Sequence, residues 1–418
     1  MQTEPPIDQE QDVPFMTTAA HKRTDYLVVG LAYLAFIVLG MAAAILGVAW
    51  SPYIRDTFGL GLDAVGALLV ASTIGYSVAS FLSGRLVARY GMTRLLIGSA
   101  LLLAVGFLGY ALSPAWIIMV ALGLVAGFGS GILDAGLNIY FAAVFNARLM
   151  NWLHACFGIG STLAPGLMVL VLQNGGTWRV SYTVIAAANL IVAGLIVLTR
   201  ARWNAAGGTA AAEGHKGASA RSTLRIPIVW LGIVIFAVYA GLEAGAGQWL
   251  FPLFNEARGT GETTAAQWVS LFWASFTLSR ILFGFIADRY SAHTLIRICL
   301  GGLLVGAVLL ALNPTPQAGF LWPMLYSFSL APIFALLVTE TQERLGPTHG
   351  PNAIGFQVAA AGAGFGILPG IAGLLANRSG LEIVPPFLLA LAVIMTVSYE
   401  LMMSRRMAKT VPAAEPAG

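Results

Sequence analysis

The chain has 418 residues, of which 58% are hydrophobic and 10% charged, and its mean hydropathy is +0.81. Soluble domains carry about 25% charged residues, so a water-soluble fold is excluded: too little polar surface exists to cover the apolar side chains. The net charge of +4 is small and dispersed, which argues against a nucleic-acid partner.

In chain order, residues 1–24 are polar, acidic and Pro-containing, without the charged start, short apolar run and cleavage site of a secretory leader. They read as a disordered cytoplasmic tail. Twelve apolar stretches follow, centred near residues 38, 73, 104, 129, 161, 188, 239, 276, 304, 329, 364 and 393. Each approaches the ~20 residues that cross the hydrocarbon core of a bilayer as a helix. Six lie in residues 25–203 and six in residues 226–406. Residues 204–225, rich in Ala, Gly, Ser and basic side chains, form the cytoplasmic linker between them, and residues 407–418 a second tail. The two cysteines, Cys156 and Cys299, fall in different halves, with no disulfide or metal company.

The halves repeat each other. Gly84-Arg85-Leu86-Val87-Ala88-Arg89-Tyr90-Gly91 closes the second stretch, and Gly284-Phe285-Ile286-Ala287-Asp288-Arg289-Tyr290 closes the eighth. Gly160 to Pro165-Gly166 is echoed by Gly364 to Pro369-Gly370. Charge placement orients the chain. With a cytoplasmic amino terminus and alternating spans, seventeen Lys and Arg residues fall inside; only Arg55, Arg179, Arg258 and Arg378 fall outside, and Arg280 lies within a span. That bias predicts the cytoplasmic (inner) membrane, with both termini inside.

These features resemble the major facilitator superfamily over residues 26–406, which implies an all-α membrane fold of twelve transmembrane helices in two pseudo-symmetric six-helix bundles. The superfamily's loop signature, G-x-x-x-D-R-x-G-x-x-R/K, is matched by Gly84, Arg89, Gly91 and Arg94, but Ala88 stands at the acid. The second copy restores the acid as Asp288 and has Ser291 where the glycine would be. The resemblance implies that this loop governs cytoplasmic closure, so Gly84, Arg85, Arg89, Gly91, Arg94, Gly284, Asp288 and Arg289 are gating candidates. A finer resemblance is to the fucose–proton symporter branch, through Leu133-Asp134, Asn138, Met150 to Gly158, and Tyr239 to Trp249. It implies a proton-coupling or sugar-binding role for the acid at Asp134. The first span lacks the acid that the branch's fucose carrier has there.

An ionisable group in a span costs at least ~2.5–3.5 kcal/mol on insertion scales, which makes each one a functional candidate. Asp134 and Asn138 share one helix face, as do Asn151 and His154. Counted from the turn near residue 146, Asp134 and His154 come to similar depths, so the four predict a polar cluster, either functional or a helix–helix staple. Glu243 lies among Gly241, Gly245 and Gly247, with Gln248 and Trp249 following. Glycine weakens a helix at that depth, and interrupted helices are where transporters hold ligands; the alternative for Trp249 is an interfacial anchor. Arg280 and Glu340 are assigned to an inner gate with Asp288 and Arg289, and a solvated surface charge is the alternative for Glu340.

No phosphate-cradling loop followed by Lys and Ser/Thr occurs, so ATP-driven pumping is not indicated. No metal-ligand spacing and no triad is present, so neither a cofactor nor enzymatic chemistry is expected. The reading is a monomeric secondary transporter that takes up a small polar solute, such as a sugar, by alternating access and proton symport. The alternatives are a proton-driven efflux antiporter for amphipathic compounds and, at greater distance, a membrane sensor or enzyme.

Overall fold

A computed structural model of the protein describes residues 25–145, 147–206, 219–286, 289–315 and 318–404. Both tails, most of the linker, and Asp288 lie outside the described residues. Twelve helices are long and apolar enough to cross a membrane: α1 Tyr26–Phe58, α2 Leu62–Ser83, α3 Met92–Leu112, α4 Trp116–Phe141, α5 Trp152–Gln173, α6 Trp178–Leu198, α7 Pro227–Ala257, α8 Glu262–Ile286, α9 Ala292–Leu312, α10 Leu321–Gly346, α11 Thr348–Ser379 and α12 Leu381–Met403. They fit a multi-pass membrane protein. Helical backbone runs on from α2 to Tyr90 and begins before α5 at Ala147. On the linker side, the short helices Arg200–Ala206 and Ala220–Thr223 flank the undescribed segment. The face where α1 starts also carries Arg85, Arg89, Arg94, Arg202, Arg289, Arg297 and Arg344, and is called the basic face below.

Local chemistry fixes the ends. Asp25 caps α1, its carboxylate accepting from the backbone N–H of Leu27 and Val28 while pairing with Arg202 at 3.3 Å. The turn from α2 to α3 needs a glycine: Gly91 has φ +79°, a region that disfavours side chains. At the equivalent turn Ser291 has φ −62° and accepts from the Thr294 N–H, capping α9. The second copy of the motif needs no glycine there, because its turn has a different conformation. Gly346, at φ +62°, separates α10 from α11.

The first six helices pack chiefly through α1–α5, α2–α4, α3–α4 and α3–α6; in the second six, α7 packs on α11 and α12, α8 on α10, and α9 on α10 and α12. The repeat reaches atomic detail. A Cβ on Gly160 would collide with the Ile37 carbonyl oxygen on α1, and one on Gly364 with the Ala237 carbonyl oxygen on α7. In lipid, where no hydrophobic force drives helices together, such backbone approach through small residues is what binds them. A π-helical turn, Trp50–Ile54, lies one turn before the end of α1, and another, Leu253–Ala257, ends α7.

Replacing Gly160 by Val should cost several kcal/mol, beyond the ~1–3 kcal/mol of ordinary overpacking because the obstacle is backbone. Gly194→Ala, where a Cβ meets nothing within 4 Å, should be neutral or stabilising. Thermal unfolding of the purified variants checks this, and equal melting temperatures would contradict the packing described.

Candidate functional site

Two polar clusters sit at mid-membrane, one in each half. On α4, Gly127 and Gly131 lie on the face of Asp134, and a Cβ at either would strike α2 backbone at Ser72 and Tyr76. That close approach delivers Tyr76 to the acid, and its hydroxyl donates to Asp134 Oδ2. Asn138, one turn on, donates through Nδ2 to Asp134 Oδ1 at 2.8 Å and to the Asp134 carbonyl at 3.0 Å. Its amide oxygen therefore faces His154 Nε2 at 3.0 Å. With the amide so oriented, Nε2 carries the proton and donates, which leaves Nδ1 to gain or lose one. Phe36 of α1 meets the imidazole edge-on, with ring centroids 5.7 Å apart. The structure thus brings together Asp134, Asn138 and His154, with Tyr76 as a fourth member that the sequence reading missed; the signal was the Gly127–Gly131–Asp134 face. The side chain of Asn151 lies outside the described residues.

The second cluster joins α7 and α8. Arg280 Nη2 stands 3.8 Å from Glu243 Oε2 and donates to the Tyr239 hydroxyl at 3.4 Å, while Tyr239 also contacts Glu243. The guanidinium lies 4.4 Å from the centre of the Phe276 ring. Arg280 therefore belongs to the central site, which corrects its assignment to the inner gate. It reaches α7, and Asp288 lies outside the described residues. Tyr239 and Phe276, one turn before Glu243 and Arg280 respectively, were not singled out from the sequence.

The clusters face each other. Across the α5–α8 seam, Gly158 abuts Thr277. His154 and Arg280 sit about one turn from that contact on the basic side. The side chains of Arg280 and Glu243 are 30% and 13% exposed.

Other candidates went elsewhere. Trp249 is fully buried, and its indole N–H donates to the Pro369 carbonyl at 2.9 Å. It pins α7 to α11 and is not an interfacial anchor. Gln248 is 5% exposed, and its Nε2 has no partner among the described residues. Glu340 is buried, not solvated: it accepts from the Tyr399 hydroxyl at 2.9 Å and from Arg344 at 3.1 Å, with His293 4.0 Å away. All four residues lie in α9, α10 and α12, so this network braces one half and does not bridge two. Arg85, Arg89, Arg94, Gly284 and Arg289 are exposed, and Gly84 lies in the helical run beyond α2. No described bond joins any of them to the other half.

Described bonds join the halves at the opposite face. There Glu256 on α7 accepts from Ser51 and, at 2.9 Å, from Arg55 on α1. Asn377 accepts from the Leu62 N–H, and Gln173 donates to Thr263 at 3.0 Å. Deeper in, Gly47 of α1 abuts Gly247 of α7. The described hydrogen bonds that join the halves all lie on the side of the clusters away from the basic face. Sequence reading had no access to Glu256, because its partners lie two hundred residues away.

Residues 32–349 match the family model described as Major Facilitator Superfamily. The chain belongs to that superfamily. As one of its transporters it is not an enzyme. It is similar to the glucose/mannose transporter of Bacillus subtilis, 22% identical over 69% of this chain and 73% of that protein. It is 23% identical to the sodium-dependent glucose transporter 1A of Mus musculus, over 82% and 88%. The crystal structure of a D-xylose-proton symporter shares its fold, with TM-score 0.72, 16% identity, and coverage of 93% and 98%.

Glu256→Gln should loosen the closure at the face opposite the basic one. A cysteine placed at Ala43, in an otherwise Cys-free chain, should then react several-fold faster with a membrane-impermeant thiol reagent added at that face. Unchanged labelling would show that Glu256 does not hold the halves together.

Proposed function

We propose that the protein is a proton-coupled symporter for a small polar solute, a sugar or related compound. It would lie in the cytoplasmic membrane with the basic face inside and act as a monomer, its bundles formed by residues 25–203 and 226–406. The observation that carries this reading is the pair of facing clusters, each holding one intramembrane carboxylate, Asp134 or Glu243, against tyrosine and a nitrogen base. Hydroxyl, amide and guanidinium groups around a common space suit a ligand rich in hydroxyls, and the names of the relatives point the same way.

The coupling ion is inferred from the donors. Both carboxylates are surrounded by N–H and O–H groups, whereas a hard cation asks for several oxygen ligands. Among the described residues no group of three or more His, Cys, Asp or Glu could hold a metal ion. A carboxylate held by donors and standing beside a titratable imidazole exchanges protons more readily than it coordinates sodium. From the outside, protonation of Asp134 or Glu243 would neutralise charge in a low-dielectric site and let the loaded carrier turn inward; loss of the proton inside would reset it. An efflux role for amphipathic compounds is less well supported, since the facing side chains are polar.

Purified protein screened by thermal shift against glucose, mannose and xylose should melt several degrees higher with at least one; ligand at 100 times its Kd adds about 2.7 kcal/mol. Glu243→Gln should abolish that shift while melting normally without ligand. Absence of a shift with every sugar would remove the sugar reading, and a shift unaltered in the variant would remove Glu243 from the site.

A further inference from the structure

On the outer flank of the first half, α2 and α3 diverge from the tight turn at Gly91. Both lean on α4 and scarcely touch each other. Between them is a cleft of about 320 Å³ walled by Leu86, Leu95, Leu102, Phe128 and Ile132. A Cβ built on Gly98, which also lines the cleft, meets nothing within 4 Å, so the space reaches the α3 backbone. Leu95 and Leu102 stand on the first three turns of a membrane helix, at the depth of the upper acyl chain. Water gains nothing in such a slot, because its walls offer almost no polar partners.

The rim is different. Arg94 lines it, and Arg89 lies 5.3 Å over the ring of Tyr90, another lining residue. Arg85 is exposed on the same end of the α2 helix. None of the three has an acidic partner among the described residues. Elsewhere on the same face Arg202, Arg297 and Arg344 pair with Asp25, Glu400 and Glu340. Unpaired guanidinium groups at headgroup level, above a slot that only hydrocarbon fills well, call for an amphiphile with a negative head.

We propose that this cleft is a binding site for an anionic phospholipid of the leaflet on the basic face. Its phosphate rests on Arg94 and Arg89, bidentate to a guanidinium fork, and one acyl chain lies between α2 and α3. Basic pockets between membrane helices take anionic headgroups in this way. The site is independent of the solute reading above. It bears on transport because α2 also packs against α11 across the two halves.

Native mass spectrometry of the full-length, delipidated protein titrated with phosphatidylglycerol or phosphatidylcholine tests this. Wild type should retain phosphatidylglycerol several-fold better. Arg94→Gln should lower that retention about fivefold, the loss expected for one arginine at the surface, and leave phosphatidylcholine unchanged. Gly98→Leu, which fills the slot, should lower retention of both lipids. Arg221→Gln, on the same face but away from the cleft, should do nothing. Equal retention of the two lipids by wild type, or equal effects of Arg94→Gln and Arg221→Gln, would overturn the proposal and leave an ordinary annular surface. If Gly98→Leu does not fold, the comparison of the two arginine variants still decides.

Discussion

The two halves of this protein meet where side chains are smallest. Gly158 abuts Thr277 between α5 and α8, Gly366 abuts Thr73 between α2 and α11, and Gly47 abuts Gly247 between α1 and α7. Under the internal repeat the counterpart of the first is Gly362 against Ser77, one turn before Gly366. Small residues bring backbones close enough for dispersion to hold them in lipid, and they leave no long side chains interlocked. Such a seam resists separation but offers little resistance to pivoting. On one side of it lies the polar closure around Glu256, and deeper in the membrane the central charges.

Those charges explain why the seam sits where it does. Asp134 and Glu243 are costly in hydrocarbon, and each has been made tolerable by donors from a neighbouring helix of its own half. Neither is neutralised by a tight ion pair: Arg280 stays 3.8 Å from Glu243, and His154 reaches Asp134 only through Asn138. The groups remain available to a ligand or a proton. Arg280 and His154 lie on opposite halves, each one turn from the Gly158–Thr277 contact.

The architecture was legible because it rests on long-range periodicity: twelve membrane-length runs, the repeated Gly-to-Arg motif and the sorting of arginines all survive without knowledge of contacts. The Asp134–Asn138–His154 chain was partly legible too, since helix spacing puts the first two on one face and the depth of the turn fixes the third. What sequence could not supply was which half a long side chain would reach. Arg280 was assigned along its own helix towards Asp288, but a guanidinium has reach enough to turn back to α7. Glu340, read from sequence as a gate residue or a solvated charge, is instead covered by Tyr399 of α12. Tyr76 and Glu256 were invisible for the same reason: their roles are set by partners on other helices.

The central claim is that proton binding at these intramembrane carboxylates drives solute movement. The most direct test records external pH, with a sensitive indicator, while a sugar identified as a ligand is added to weakly buffered proteoliposomes held at a sodium-free baseline. The account predicts that the medium becomes alkaline as solute enters, and that Asp134→Asn or Glu243→Gln silences the signal. Solute entry with no pH change, or entry that begins only when sodium is supplied, would contradict it.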